Sequence, residues 1–205
     1  TKTITIAPGI RINGISAARL HYPFYTTDEV SVDLIQDSVI TVVPEFEYTD
    51  DADFAWVEDF EDVGVQLITT SSSEAEIQFE EDPSIALNGK SVKLALQNAQ
   101  LKFECKSHIP LDLPGYGNTV ILEFDYRSNN RLVVGSIITN PGIIIQEPVL
   151  SLNPSENWKR VYVNLTAQVS GNPNNVGIEP FFGFIRDETV EGDAVVYLDN
   201  IKLVY

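Results

Sequence analysis

The sequence predicts an all-β fold: a two-sheet jelly-roll β-sandwich with a small N-terminal β unit. Three observations carry that expectation. Val and Ile number 21 and 20 against 11 Ala and no Met, and β-branched side chains crowd a helix but pack well on a pleated sheet. Apolar and polar residues alternate in short runs punctuated by Gly, Pro, Asn and Asp, as half-buried strands and their turns require. No segment sustains a helical period, and no run of about eighteen apolar residues offers a membrane span.

Along the chain, residues 1–50 read as a separate β unit. Thr3 to Ile6 alternate, Pro8-Gly9 turns the chain, Ile10 and Ile12 resume, and Asn13-Gly14 is a strong turn dipeptide. A second strand pair follows, Val30, Val32 and Leu34 leading through Gln36-Asp37-Ser38 to Val39–Val43. The intervening stretch from Ala17 to Tyr25 carries His21, Tyr22, Phe24 and Tyr25, either a ligand patch or a plug against the next domain. Thr49-Asp50-Asp51-Ala52-Asp53 is the linker candidate. From there a domain of residues 54–205 shows strand-like segments near 54–60, 65–70, 75–80, 90–96, 100–106, 119–127, 131–138, 143–152, 158–166, 178–186 and 194–204. So many short strands imply two packed sheets, since a single sheet that wide leaves a face uncovered.

Thirty acids against thirteen Lys and Arg give a formal charge of −17, which repels phosphate backbones and anionic membrane surfaces and argues against a nucleic-acid partner. From Glu45 to Asp82 there are fourteen acids and no base, read either as a solvated face or as a site for a hard cation such as Ca²⁺. The one cysteine, Cys105, alternates with Lys102, Glu104 and Lys106 and falls on a buried strand face as a small hydrophobe. With only His21 and His108, and no GxSxG, HExxH or glycine-rich phosphate loop, a transition-metal centre or a Ser/His or Cys/His pair has little material. Because the sequence opens on Thr1, an export signal is expected upstream.

Five segments in order then carry a resemblance: Trp56-Val57-Glu58-Asp59-Phe60-Glu61-Asp62, Gly89-Lys90-Ser91-Val92-Lys93-Leu94, Val120 to Arg127, Trp158 to Leu165, and Val196-Tyr197-Leu198-Asp199-Asn200-Ile201. Together they resemble the galactose-binding-like jelly roll of many carbohydrate-binding modules. With Ile6-Ala7-Pro8-Gly9-Ile10 and His21-Tyr22-Pro23-Phe24, the whole chain is similar to surface lipoproteins of Gram-negative gut anaerobes without an established activity. The resemblance implies a fold and an exported setting at the cell surface or in the periplasm, with membrane attachment only through an upstream lipid anchor. It names no ligand.

Alternation separates the faces of the motif strands. Leu122, Phe124 and Tyr126 point one way, leaving Glu123, Asp125 and Arg127 on the other. Val161, Val163 and Leu165 oppose Trp158, Arg160, Tyr162 and Asn164, while Val196 and Leu198 oppose Val195, Tyr197 and Asp199. If these outer sets share one sheet, Glu123, Asp125, Arg127, Trp158, Arg160, Tyr162 and Tyr197 form an aromatic, carboxylate and guanidinium surface suited to a polysaccharide or oligosaccharide. The same residues also read as cross-strand charge pairs with an indole covering the sandwich edge.

The expected function is non-catalytic glycan binding; the alternative is a structural or assembly protein of the cell surface. A hydrolase needs two carboxylates about 5 to 10 Å apart beneath a cleft, and nothing in the pattern singles out such a pair. In modules of the resembled type, a carboxylate after the opening Phe and one in the closing Asp-Asn-Ile motif share Ca²⁺ with backbone carbonyls. Glu61 and Asp199 match those positions, which implies a structural Ca²⁺ site.

Overall fold

The computed structural model describes residues 2–5, 15–16, 25–26, 31–32, 39–42 and 47–48, then 52–205 apart from 62–65, 98, 112, 114–117 and 173–175. The chain divides into two compact units, Thr1–Ala52 and Asp53–Tyr205. In the first, β1 (Lys2–Thr5) pairs antiparallel with β5 (Val39–Val42), β2 (Ile15–Ser16) with β4 (Ser31–Val32), and β3 (Tyr25–Thr26) with β6 (Glu47–Tyr48). This corrects the sequence expectation that the segments flanking Gln36–Ser38 pair with each other. Gln36 to Ser38 lies outside the described residues. The β1–β5 register sets Thr3 opposite Thr41 and Ile4 opposite Ile40, pairing β-branched residue types across the ribbon. The Pro8-Gly9 and Asn13-Gly14 turns, His21 to Phe24, and Thr49 to Asp51 lie outside the described residues.

The second unit is a two-sheet jelly-roll sandwich. Its strands are β7 (Phe54–Glu58), β8 (Leu67–Thr69), β9 (Ile77–Glu80), β10 (Ser91–Leu96), β11 (Lys102–Ser107), β12 (Ile121–Ser128), β13 (Leu132–Asn140), β14 (Ile143–Leu152), β15 (Ser155–Asn164), β16 (Ile178–Ile185) and β17 (Ala194–Val204). One sheet runs β15-β12-β17-β10-β9 with β7 also on β17; the other runs β14-β13-β16-β11-β8, all antiparallel. Each of the eleven segments read from alternation holds one of these strands. The helix α1 (Thr166–Gly171) follows β15. Its six residues bury one side chain, Val169, too short a span to leave a readable period.

The core consists of the inward rows of both sheets, Val92, Leu94, Leu122, Phe124, Val196 and Leu198 on one and Phe103, Cys105, Leu132, Val134, Phe182 and Phe184 on the other. The Phe124 ring meets the Phe182 ring edge-on at 5.2 Å, and Phe103 stacks on Phe184 at 5.6 Å, a geometry that adds to area burial. Cys105 is fully buried, and burial pushes its thiol pKa far up, so it acts as a hydrophobe.

Strand β17 divides one of its edges between two partners. Its first half, Ala194–Leu198, pairs with β10, and its second half, Ile201–Val204, pairs with β7 along the same edge. The fork falls at Asp199-Asn200, where Asn200 takes a left-handed φ of 50°. The unit also closes on itself, since Asp53 and Tyr205 exchange backbone hydrogen bonds of 2.8 and 2.9 Å.

Candidate functional site

On β12 the outward residues alternate with a buried apolar set, so β15 and β17 present their own outward residues on either side of it. The register forms three rows: Tyr162–Glu123–Lys202, Arg160–Asp125–Asp199, and Arg127 opposite Tyr197. Trp158 stands two residues before Arg160 on β15, and its indole lies 6.4 Å from the Tyr197 ring. All seven residues expected at a binding face therefore lie on the outer side of one sheet.

The first two rows form a closed ion network. Arg160 holds Asp125 in a bidentate pair, Nε to Oδ1 at 3.1 Å and Nη2 to Oδ2 at 2.9 Å, and Asn200 donates to the same carboxylate at 3.0 Å. Lys202 Nζ sits 3.2 Å from Glu123 and 5.0 Å from the Trp56 ring centroid, and Arg160 Nε lies 3.6 Å from Glu123. Glu123 and Asp125 are buried, so their charges require these partners. The Asp125 hydrogen bonds push the Arg160 pKa up, and burial beside Glu123 raises the Tyr162 phenol to about 12. Glu123 and Asp125 are thus engaged within the sheet, while Arg160 remains exposed.

The third row opens into a cleft of about 630 Å³. Arg127, Asn129, Ser155, Glu156 and Tyr197 give its polar lining, with Pro154 and Val195 alongside. Trp158 does not line it. Its indole N–H donates to the Ile85 carbonyl at 2.9 Å, so the ring buttresses Tyr197 and ties down the segment between β9 and β10. Arg127 Nη1 reaches the same carbonyl at 3.5 Å. Asn129, Ser155 and Glu156 were missed in the sequence because they flank the strand ends, where alternation says nothing; the only signal was the Asn153-Pro154-Ser155 turn before Trp158.

Glu61 and Asp199 converge on one turn. Glu61 Oε1 accepts from the Lys90 N–H at 2.6 Å, and Asp199 Oδ2 accepts from the Ser91 hydroxyl at 2.8 Å. Gly89 allows this approach: its φ is 50°, and a Cβ at that position would collide with Glu61 Oε1. Burial raises the Asp199 carboxyl to about 6 against the opposing bonds from Ser91, Asn200 and Asn88. The recorded partners of both carboxylates here are donors, the Lys90 N–H for Glu61 and the Ser91 hydroxyl for Asp199, and among the described residues no group of three or more His, Cys, Asp and Glu is arranged to hold a metal.

No family model matches the chain, and no curated protein matches its sequence. Similar solved structures include the family 11 carbohydrate-binding module of a cellulosomal cellulase of Clostridium thermocellum, at 16% identity and TM-score 0.49 over 74% of this chain and 94% of that one. A non-crystalline-cellulose-specific module, CBM28, matches at 13% identity and TM-score 0.48 over 69% and 89% of the two chains. The enzymatically active domain of tailspike protein 4 of bacteriophage CBA120 matches at 13% identity and TM-score 0.50, over 67% of this chain but 19% of that one. At 13% identity the tailspike likeness is one of fold alone.

Proposed function

We propose that the chain is a non-catalytic glycan-binding module whose saccharide seats in the cleft beside Arg127 and Tyr197. The observation that carries this reading is the composition of the cleft: a tyrosine ring braced by Trp158, with a guanidinium, an amide, a hydroxyl and a carboxylate around it. An aromatic ring takes the C–H face of a pyranose while fixed polar groups take its hydroxyls. Binding without hydrolysis is supported by the lining, to which the described residues contribute a single carboxylate, Glu156, whereas the usual glycosidase route needs a pair.

The wider setting, an exported lipoprotein at the cell surface or in the periplasm, rests on the resemblance of the N-terminal motifs. Labelled fatty-acid incorporation in the native host tests it. A structural or assembly role without a sugar is favoured by one observation, the ion network around Glu123 and Asp125, which engages four residues of the expected face, Glu123, Asp125, Arg160 and Tyr162.

A glycan array followed by titration calorimetry separates the two readings. Open sites bury little of a sugar, so affinities near the millimolar range are expected. Tyr197→Ala should weaken binding about tenfold or more, as truncation of a central aromatic contact does, with Tyr162→Ala as the neighbour outside the cleft that leaves it unchanged. An array with no bound glycan, or binding indifferent to Tyr197→Ala, overturns the glycan reading.

A further inference from the structure

The cations of the second unit are mostly spent on its own acids. Lys90, Lys93, Lys102, Lys106, Arg160 and Lys202 each hold a carboxylate at ion-pair distance. Arg186 donates instead to the carbonyls of Leu96, Val190 and Gly192. Arg131 and Lys159 are exposed, where water satisfies them. Arg127 differs from all of these: it is half-buried, lines the cleft, and has among the described residues a single long hydrogen bond, to the Ile85 carbonyl at 3.5 Å, and no carboxylate partner. In a chain with thirty acids and thirteen bases, an unmatched guanidinium in a recess is the exception to the local pattern.

Resting on the glycan reading of this cleft, we infer that it selects an anionic saccharide, its carboxylate or sulfate group taken by Arg127 while the adjoining sugar ring lies against Tyr197. The guanidinium presents five N–H donors in a planar fork that matches two oxygens of an anionic group at once. Tyr197 stands directly across from Arg127 in the strand register, and both line the cleft, so one bound sugar can meet a ring and an anion-binding fork together. Glu156 also lines the cleft. As an exposed carboxylate it accepts hydrogen bonds from the sugar hydroxyls, and its charge is a repulsion that the direct contact at Arg127 must outweigh. The chain's −17 charge opposes an anionic ligand at long range, so selectivity comes from contact at Arg127 rather than from steering.

The test titrates the full chain with four probes: a galacturonic acid oligomer, its methyl ester, a sulfated galactan oligomer and a neutral galactan oligomer. The uronate or the sulfated oligomer is expected to bind about tenfold more tightly than its uncharged counterpart, the worth of a charge-assisted hydrogen bond. Which of the two does so identifies the anionic group. Arg127→Gln should erase the preference, and Arg127→Lys, which keeps the charge and loses the fork, should restore only part of it; matching melting temperatures establish that both variants fold. Equal binding of charged and uncharged probes, or a preference that survives Arg127→Gln, overturns the inference. If neutral glycans bind and Tyr197→Ala abolishes that binding, the glycan reading stands without anion selection; if no probe or array glycan binds, both fall.

Discussion

Asp199 titrates near 6 because burial penalises its charged form more than the Ser91 hydroxyl and the Asn200 and Asn88 N–H groups reward it. In the unfolded chain the same carboxyl ionises near its ordinary value of 3.8. Between those two values the native state keeps a proton that the unfolded state has lost, so this group makes stability fall as pH rises through that window. Below it both states are protonated, and above it the full penalty applies. In EDTA, Asp199→Asn should therefore melt with the wild type at pH 4 and roughly 2 to 4 °C above it at pH 7. Scanning fluorimetry across that range checks it, and parallel curves for the two proteins reject Asp199 as the titrating group. At this scale the sequence was readable where alternation applied. It placed Asp125 and Arg160 on one face, where they pair. It could not show that Asn200 also donates to Asp125 or that Lys202 pairs with Glu123, because the left-handed Asn200 interrupts the alternation of β17.

Strands of the second unit such as β14 were legible because they are more buried on one face than on the other and so alternate, whereas β16, buried from Ile178 to Phe184, was legible from its aromatic run instead. Partner choice was not, since it depends on packing between segments far apart in sequence. Thus β17 divides one edge between β10 and β7, and no local signal marks the fork beyond the Asp199-Asn200 motif. That fork gathers three distant pieces of chain: Glu61 just past β7, the turn before β10, and Asp199. A cation held there would bind the native state alone, because unfolding separates the three. Calcium at about a hundred times its dissociation constant is then expected to add roughly 2.7 kcal/mol, read as a rise in melting temperature over EDTA. Glu61→Gln should shrink that rise, and an unchanged melting temperature between EDTA and excess Ca²⁺ removes the site.

For the whole molecule, the question is how much of the chain the sandwich needs. Among the described residues, the core of the second unit runs from Val57 to Tyr205. Its two ends are tied by the reciprocal Asp53 and Tyr205 backbone bonds, which join the start of the unit to its last residue. With about 150 residues, a chain of that size buries some two-thirds of the surface its unfolded form exposes, enough for a self-sufficient core. Residues 52–205 expressed alone should accordingly fold, with a β-type far-ultraviolet spectrum, a cooperative melt and a melting temperature within roughly 4 °C of the full chain, as expected for changes near 1 kcal/mol. Limited proteolysis of the full chain should produce the same fragment by cutting near Asp50 to Asp53, where the acidic linker was expected. A truncated chain that aggregates or melts without cooperativity would show that the first unit supplies part of the fold, and the cleft would then have to be assayed only in the complete protein.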